Sequence, residues 1–591
     1  MGPRRMPGKA KVKDFKGTLS RLVGYLKPYS LGTGLVLLIT VVGVFLGAIA
    51  PEILGRITTE LFRPVMEGGG PIDFGFIGRT ALLLTAIYAS SNIFGYLTQY
   101  IMAGLSQKVV FDMRRDVDEK LARLPLKFLD SHTHGELLSR FTNDIDTISS
   151  AMQQVITQVL NSLLTIVMVL GVMMTISFRL TLISMIIVPS SAFAMKFIVK
   201  RSQKFFGAQQ KVIGQLNGHV EEMYSGHMII KAFNHESKAI ERFDEVNEKL
   251  YDVGWRAQFF SAVMWPIIHI IGNLGFIAIA VVGGVMVTHG ALGIGNVQAF
   301  IMYNRQLSQP IAGIAQMVNM IQQSVAAAER VFELLDEQEM IPEPEVPQVI
   351  TQPQGQVVFE NVRFGYGKKP VINNMNLKAE PGQMVAIVGP TGAGKTTLIN
   401  LLLRFYEIDQ GHIYIDETDI SQMERSHLRH LFGMVLQDTW LFNGSIRDNI
   451  AYGREGATEA EVVAAAKAAH ADHFIRTLPD GYDTILNEEV SNISQGQKQL
   501  LTIARALLAD PQIMILDEAT SSVDTRTEKQ IQNAMKTLLK GRTSFVIAHR
   551  LSTIREADLI LVMKDGDVIE QGNHEELIAQ NGFYAELSST V

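Results

Sequence analysis

The stretch GPTGAGKTT, Gly389–Thr397, follows directly on the apolar run MVAIV, Met384–Val388, and precedes the helix-forming sequence LINLLL. A glycine-rich loop between a strand and a helix points several backbone N–H groups into one concavity, and the helix N-terminus adds partial positive charge. The spacing matches G-x-x-x-x-G-K-[ST] at every fixed position, so Lys395 is predicted to reach the β- and γ-phosphates of a nucleotide and Thr396 to bind Mg²⁺. The predicted nucleotide contacts of this loop are Gly389, Pro390, Thr391, Gly392, Ala393, Gly394, Lys395, Thr396 and Thr397.

Composition indicates a membrane unit joined to a soluble domain. Of the 591 residues 47% are hydrophobic and only 19% are charged, and the charged residues are unevenly spread. The net charge of −6 comes without a basic stripe, which argues against nucleic acid as a partner. The absence of cysteine excludes disulfides, thiolate zinc sites and a cysteine nucleophile.

Charge-free runs long enough to cross a bilayer predict six membrane-spanning helices. An even number returns both chain ends to one side, and the basic N-terminus predicts that this side is cytoplasmic. The sequence places the first exterior loop at about residues 51 to 76. The runs are Leu31–Ala50, Thr80–Gln107, Thr147–Phe178, Leu180–Met195 and Ala257–Asn304, the last being long enough for two helices that reverse near residues 288–295.

Four regions follow from these patterns. Residues 1–30 carry eight Lys/Arg, and an apolar stripe from Leu19 to Leu26 predicts an amphipathic helix at the cytoplasmic interface. Residues 31–335 form the predicted all-α, six-helix transmembrane domain with long intracellular segments. Residues 336–356 are rich in Pro, Glu and Gln and are predicted to be a linker. Residues 357–591 alternate between strand and helix patterns, as is typical of an α/β P-loop nucleotide-binding domain.

The predicted spans contain few polar landmarks. Pro189, Pro266 and Pro310 lie inside them, and Arg305 is the only charged residue between Ala257 and Ala328. An intramembrane charge is by default a candidate for a polar cavity. Two alternatives stay open for Arg305, namely a position near the outer interface or pairing with another residue.

Two motifs downstream of the loop extend the nucleotide site. The run Ile513–Asp517 predicts a buried strand that ends in a carboxylate suited to Mg²⁺, and the next residue, Glu518, is placed to deprotonate an attacking water. The alternative for this pair is two solvated acids in a turn. Ser494 is predicted to cap a helix whose N-terminus forms a second anion site, and we expect its target to be nucleotide on another copy. The residues that would act in trans are Ser494, Gly496 and Gln497.

With these motifs in order, the chain resembles an ABC transporter of the exporter type, specifically a half-transporter with one six-helix membrane domain fused to one nucleotide-binding domain. The resemblance covers nearly all of the chain and implies ATP and Mg²⁺ as cofactors, with Lys395 and Glu518 among the catalytic groups. It also implies coupling segments at 128–144 and 222–236. Its further site residues are Tyr366 stacking on adenine, Gln437 contacting Mg²⁺ and water, His549 at the γ-phosphate, and Asp524 in a loop that crosses the dimer.

One departure from the family pattern bears on the partner chain. The usual signature L-S-G-G-Q is replaced by ISQGQ, Ile493–Gln497, and the preceding wording also differs. Both variants resemble the catalytically intact half of heterodimeric bacterial multidrug exporters. The resemblance therefore favours a heterodimer with a second half-transporter, while the intact Glu518 and the prevalence of symmetric oligomers leave a homodimer open.

The expected function is ATP-driven export of small amphiphilic or hydrophobic compounds, of the multidrug type, by alternating access. The expected location is the inner membrane of a bacterium, with multiple passes and both termini in the cytoplasm. A lipid flippase would carry the same motifs and remains an alternative. So does an ATP-gated channel or a regulatory membrane module, which is a different class of protein.

Overall fold

The computed structural model describes residues 13–66, 70–367, 369–436, 439–487, 492–517, 524–548 and 550–590. The chain divides into two units. The first comprises the residues up to Ala122 and Thr133–Glu337, and the second comprises Arg123–His132 and Gln338–Val591.

Every regular element described before residue 336 is helical. A 3₁₀ turn lies at Lys27–Tyr29 and a π-helical turn at Arg140–Asp144. The α-helices are α1 (Phe15–Gly24), α2 (Ser30–Met66), α3 (Phe74–Arg123), α4 (Leu126–Ser131), α5 (His134–Ser139), α6 (Ile145–Ile176), α7 (Phe178–Ser225), α8 (His227–Ala232), α9 (Glu236–Thr288) and α10 (Ile294–Leu335).

Six of these helices are long, namely α2, α3, α6, α7, α9 and α10, and they match the predicted spans in number and order. Among the described residues, four segments are long and apolar enough to cross a membrane: Lys27–Val65, Phe74–Arg123, His134–Ile176 and Glu236–Thr288. The remaining two long helices are α7 and α10. The predicted reversal near 288–295 is confirmed, because α9 ends at Thr288 and α10 begins at Ile294.

The first exterior loop is shorter than the sequence predicts. Helix α2 continues through Pro51 and Pro64 to Met66 instead of ending at Ala50. A proline removes one backbone hydrogen bond, and helices in membranes tolerate it where neighbouring groups satisfy the freed carbonyl. The predicted loop at 51–76 was therefore wrong for most of its length.

Small residues let α2 and α10 approach closely. A Cβ on Gly295 would lie 1.7 Å from the backbone oxygen of Gly55, and one on Gly55 would lie 2.4 Å from the oxygen of Gly295. Close crossing at small residues is a usual way for helices to associate in membranes. Nearby, Phe300 and Tyr303 of α10 are fully buried in an apolar cluster with Val169 of α6.

The C-terminal part of α10 and the segment that follows it make two polar connections inside the first unit. The Nε and Nη2 atoms of Arg330 donate to the Asp144 carboxylate at 2.8 and 2.5 Å, and Asp144 is buried at the end of the π-helical turn. Helix α1 is the predicted amphipathic helix, and Arg21 on it donates to Asp336 at 2.6 Å. The apolar stripe is divided, since Leu22 is buried while Leu19 is exposed.

The second unit is an α/β domain built on two main sheets. The strands are β1 (Val357–Phe364), β2 (Ile372–Ala379), β3 (Met384–Val388), β4 (Gln410–Ile415), β5 (Thr418–Asp419), β6 (Phe432–Val435), β7 (Gly444–Ser445), β8 (Ile485–Leu486), β9 (Ile513–Asp517), β10 (Thr543–Ile547), β11 (Leu559–Lys564) and β12 (Asp567–Gly572). The six-stranded sheet has the order β12-β11-β3-β10-β9-β6, in which β11, β3, β10, β9 and β6 are parallel. An antiparallel sheet has the order β2-β1-β4-β5.

Strand β3 lies between two apolar cores of this unit. Ala386 and Val388 face one core, while Val385 and Ile387 face the other, as the two-residue period of a strand requires. The helices of the unit are α11 (Lys395–Leu402), α12 (Arg425–His430), α13 (Ile446–Ala451), α14 (Glu459–Ala468), α15 (Asp472–Thr477), α16 (Gln495–Ala509), α17 (Thr525–Leu539), α18 (Leu551–Arg555), α19 (His574–Ala579) and α20 (Phe583–Thr590).

Residues 336–356, the predicted linker, are irregular but packed. Their regular pairing is limited to an isolated bridge between Gln348 and Met423. Buried Arg425 donates to the Ile341 carbonyl and to the Glu343 carboxylate, both at 2.9 Å. This segment is thus fixed to the second unit by charge as well as by backbone contacts.

Candidate functional site

The phosphate-binding loop has the conformation that its glycines predict. It joins β3 to α11, and the positive φ values of Gly392 (87°) and Gly394 (102°) lie in the region that glycine favours. Gly389 also has to be glycine, because a Cβ there would lie 2.2 Å from the backbone oxygen of Met563. The backbone is therefore shaped for a ligand before any side chain contributes.

Lys395 begins α11 and is held within its own loop. Its Nζ donates to the carbonyls of Gly389 at 2.7 Å and Pro390 at 3.1 Å. Burial lowers the pKa of this amine, and the negative charge of Asp517 raises it in part. The negatively charged oxygens of a phosphate would accept stronger hydrogen bonds from this amine than the two neutral carbonyls do.

The topology brings the predicted chemical groups to one edge of the six-stranded sheet. Strands β3, β10, β9 and β6 are neighbours and run parallel, so their carboxyl ends meet there. The phosphate loop follows β3, and Asp517 ends β9 in register with Ile547 of β10. The remaining predicted groups follow β6, β9 and β10 directly but lie outside the described residues: Gln437, Glu518 and His549.

Two of the predicted Mg²⁺ ligands, Thr396 and Asp517, lie within the described residues. The Thr396 side chain is exposed in the first turn of α11, and Asp517 is near enough to Lys395 to act on its pKa. A hydroxyl and a carboxylate are ligands that Mg²⁺ accepts together with phosphate oxygens and water. The described residues contain no group of three or more His, Cys, Asp or Glu that could hold a metal without such help.

Tyr366 lies beside the loop with a defined orientation. Its ring is 38% exposed, and its hydroxyl lies 3.3 Å from the Thr397 hydroxyl and 3.4 Å from Asn400 Nδ2, both on α11. The ring stands perpendicular to those of Phe364 and Tyr406, with centroids 5.0 and 4.9 Å away. An aromatic ring placed beside a phosphate loop can stack a base, which agrees with the role that the resemblance implies.

The predicted second anion site also has local order. Ser494 caps α16 in a capping box, since Gln497 N donates to its hydroxyl at 3.3 Å and Ser494 N donates to the Gln497 side chain at 2.9 Å. Gly496 is buried in the first turn. The described side-chain bonds of α16 to other segments reach residues 439–449, as in the bond of Gln495 to Thr439. A role toward nucleotide on another copy stays a prediction.

Asp524 has a structural role within its own chain. Its carboxylate caps α17 by accepting from the backbone N–H groups of Arg526 and Thr527 at 3.1 and 3.0 Å. The Thr527 hydrogen bonds are the main reason that the pKa of Asp524 is lowered. Its predicted contact across the dimer stays a prediction.

Arg505 is a positioning residue that the sequence patterns did not single out. From α16 it donates to the carbonyls of Asn449 at 2.9 Å and Trp440 at 3.1 Å, and it lies over the ring of Tyr452. Burial lowers its pKa. It joins the segment after Gln437 to the helix that Ser494 caps, and its only sequence signal is a cation on a mostly buried helix.

Comparisons with known proteins agree with this arrangement. Residues 33–311 match the family model described as the ABC transporter transmembrane region, and residues 372–521 match the model described as ABC transporter. The chain is 46% identical to a fatty acid ABC transporter ATP-binding/permease protein of Mycobacterium bovis, covering 98% of each. It is 38% identical to an ATP-dependent lipid A-core flippase of Desulfotalea psychrophila, covering 87% of this chain and 90% of that one.

One further relative and one solved structure are also similar to this chain. A putative multidrug export ATP-binding/permease protein of Bacillus subtilis is 34% identical, over 97% of this chain and 99% of that one. Among solved structures, a bacterial Atm1-family ABC exporter with ATP bound is similar with a TM-score of 0.75 and 29% identity, over 96% of this chain and 98% of that one.

Proposed function

The chain belongs to the ABC transporter family, and from that membership we propose that it exports amphiphilic compounds with an acidic head group, long-chain fatty acids being the first candidate. It is an ABC exporter with fused transmembrane and ATP-binding regions, and it binds ATP and hydrolyses it to drive transport. It spans the membrane several times. We place it in the inner membrane of a bacterium with both termini in the cytoplasm.

The proposed catalytic roles follow the edge of the sheet. Lys395 binds the β- and γ-phosphates, and Thr396, Asp517 and Gln437 hold Mg²⁺, which supplies positive charge to the phosphates. Glu518 takes a proton from the attacking water, and His549 contacts the γ-phosphate. The support for these roles is that each residue lies at the carboxyl end of one of four neighbouring parallel strands or in the loop or helix start that follows it.

ABC half-transporters function as dimers, and two exposed surfaces of this chain support a partner of the same kind. Around α8 the side chains of Tyr224, Met228 and Phe233 are exposed, and in the second unit Trp440 and Tyr452 are exposed. Exposed apolar groups of this size commonly mark interaction surfaces. The ISQGQ signature favours a second, different half-transporter, and a homodimer is the alternative.

ATP hydrolysis by the purified chain in lipid separates the two assemblies. Activity that is lost in Glu518→Gln would mean that the homodimer is competent and that the heterodimer proposal is wrong. Activity that appears only after co-expression with a second half-transporter would support the heterodimer.

The substrate proposal rests on the position and surroundings of Arg305. It lies twelve residues into α10, its side chain is exposed, and it has no ion pair among the described side chains. The stretch of α10 from Ile294 to Ala328 has no other charged residue, and a cation in such a stretch is stable when it faces a polar cavity or an anion. A carboxylate head group would meet that need, with the alkyl chain against the apolar side chains. The similarity to the fatty acid ABC transporter of M. bovis supports the choice of fatty acids as the first candidate.

Stimulation of ATP hydrolysis tests this substrate class. We expect a long-chain fatty acid to stimulate ATP hydrolysis strongly and the corresponding fatty alcohol to stimulate ATP hydrolysis weakly. Arg305→Gln should abolish the difference between the two, while Arg305→Lys should keep it. Stimulation by uncharged dyes alone would favour a multidrug exporter, and stimulation by phospholipid alone would favour a lipid flippase.

A further inference from the structure

The chain segment between α3 and α5 is held by the second unit. Residues 123–132, which include α4, belong to that unit, whereas α3 up to Ala122 and α5 onward belong to the first. Met340 N donates to the Arg123 carbonyl at 3.0 Å, and Leu126 packs against an apolar core of the nucleotide-binding unit. Helix α4 is thus covalently continuous with membrane-spanning helices and docked on the unit that binds ATP.

The third anchor of α4 is a hydrogen bond. The Tyr406 hydroxyl donates to the carboxylate of Asp130, on the last turn of α4. Tyr406 is buried, and burial together with this bond raises its pKa, so the phenol keeps its proton and remains the donor. A hydrogen bond to a carboxylate is stronger than one between neutral groups.

Tyr406 is also in contact with the proposed adenine site. Phe364, Tyr366 and Tyr406 form an aromatic triangle whose centroids are 4.9 to 5.6 Å apart and whose rings are steeply inclined to one another. Edge-to-face contacts of this kind are orientation-dependent. A base that stacks on Tyr366 therefore constrains the ring of Tyr406 as well.

A cavity of about 220 Å³ lies beside the triangle and shows that these groups share one space. Its lining includes Pro125 and Lys127 of the α4 segment, Ile341 of the 336–356 segment, Tyr366, Tyr406 and Arg425. Open space next to Tyr366 and Tyr406 leaves room for both rings to change orientation, which close packing on every side would prevent.

We propose that Tyr406 is a positioning residue that links adenine stacking at Tyr366 to the docking of α4 through its hydrogen bond to Asp130. The inference rests on the proposed adenine contact of Tyr366. It assigns the link to the base of the nucleotide, and not to its phosphates, because Tyr406 contacts the base-stacking ring of Tyr366, whereas Thr397 of the phosphate loop contacts only the hydroxyl of that residue.

The test is hydrogen–deuterium exchange of the backbone amides at 126–131 in the full chain in lipid nanodiscs, in a Glu518→Gln background that retains bound ATP. We expect ATP to slow exchange, and Mg²⁺-tripolyphosphate, which fills the phosphate loop without a base, to have no such effect. In Tyr406→Phe, at an ATP concentration that saturates the variant, we expect ATP to leave the exchange of this segment unaltered. Slowing by tripolyphosphate equal to that by ATP, or an unaltered response in Tyr406→Phe, overturns the inference.

Matched variants separate this link from simple stabilisation. Asp130→Asn keeps an acceptor for the phenol and should keep the ATP response, whereas Asp130→Ala should lose it. Tyr482 provides the control, because its hydroxyl donates to Asp472 at 2.7 Å in a similar tyrosine–aspartate bond on α15. Tyr482→Phe should respond to ATP as the parent does, and a loss there would overturn the inference in favour of general loosening of the unit.

A functional readout uses the same variants with Glu518 intact. Tyr406→Phe should lower the number of substrate molecules transported per ATP by roughly 10-fold or more, since 10-fold corresponds to the lower end of the free energy of one hydrogen bond to a charged group. The KM for ATP should change much less in Tyr406→Phe than in Tyr366→Ala, because the phenylalanine ring keeps the ring contact with Tyr366. If Tyr366→Ala leaves ATP affinity unchanged, the adenine assignment itself is wrong. If that affinity falls while Tyr406→Phe transports normally, only the link is wrong.

Discussion

The ion pair between Asp144 and Arg330 gives a quantitative prediction for the first unit. The Asp144 side chain is 10% exposed and accepts two hydrogen bonds from Arg330, which is 37% exposed. Removing one partner of a fully buried pair costs about 3–5 kcal/mol because the other charge is left without compensation. The two partners differ in exposure, so the cost should depend on which one is removed.

Arg330→Met leaves the more buried charge alone, and we expect a loss of about 2–4 kcal/mol in the free energy of unfolding. Asp144→Ala leaves a guanidinium that can reach water, so we expect about 1–2 kcal/mol. The double variant should be no less stable than Arg330→Met, because its second substitution removes the charge that was left uncompensated.

Melting temperature in detergent, with unfolding followed by intrinsic fluorescence, is the measurement. The control is an exposed pair whose acid lies on the same helix as Arg330, namely Lys13 with Glu333, whose side chains are 80% and 44% exposed. Lys13→Met should change stability by about 0–1 kcal/mol. Equal effects of Lys13→Met and Arg330→Met, or effects of Asp144→Ala and Arg330→Met that simply add, would refute the reasoning.

Three further predictions concern the second unit. Gly389→Ala should reduce ATP affinity severely, because the added Cβ would lie 2.2 Å from the Met563 backbone oxygen. In Gly392→Ala the added Cβ meets open space, so the only cost is the strain of the positive φ, about 1–2 kcal/mol. Equilibrium binding of labelled ATP to the two variants tests this difference. Thr458→Ala should destabilise the domain by about 1 kcal/mol through loss of the α14 capping box, seen as a lower urea midpoint with an unchanged m-value. Because burial lowers the pKa of Lys395 and phosphates favour its charged form, ATP affinity should fall as pH rises through that lowered pKa. Calorimetry at a series of pH values below 10.5, the usual lysine pKa, should show the fall in the parent but not in Lys395→Arg.

Local sequence patterns correctly predicted those structural features whose determining residues lie within a few positions of one another in the chain. The loop conformation at Gly392 and Gly394 follows from glycine spacing, and Ser494 begins α16 as a capping residue should. The capping box of α14 is likewise formed by two residues three positions apart, Thr458 and Glu461. In each case the residue type and its backbone requirement are adjacent in the chain.

Long-range polar pairs could not be predicted in this way. Tyr406 and Asp130 are 276 residues apart, and Asp144 and Arg330 are 186 apart, so no periodicity relates them. The same holds for Glu343, which looks like one of several linker acids until buried Arg425 is placed beside it. These pairs depend on the tertiary arrangement, which a single sequence does not encode as a pattern.

Concentrative transport is the measurement that tests the central claim most directly. The chain, with a second half-transporter if its own ATPase requires one, is reconstituted into vesicles with the nucleotide-binding domain outward, and labelled fatty acid inside the vesicles is followed with time. We expect accumulation of the fatty acid against a gradient that needs ATP and is lost in Glu518→Gln. ATP hydrolysis without accumulation, or an ion current that nucleotide opens, would contradict it.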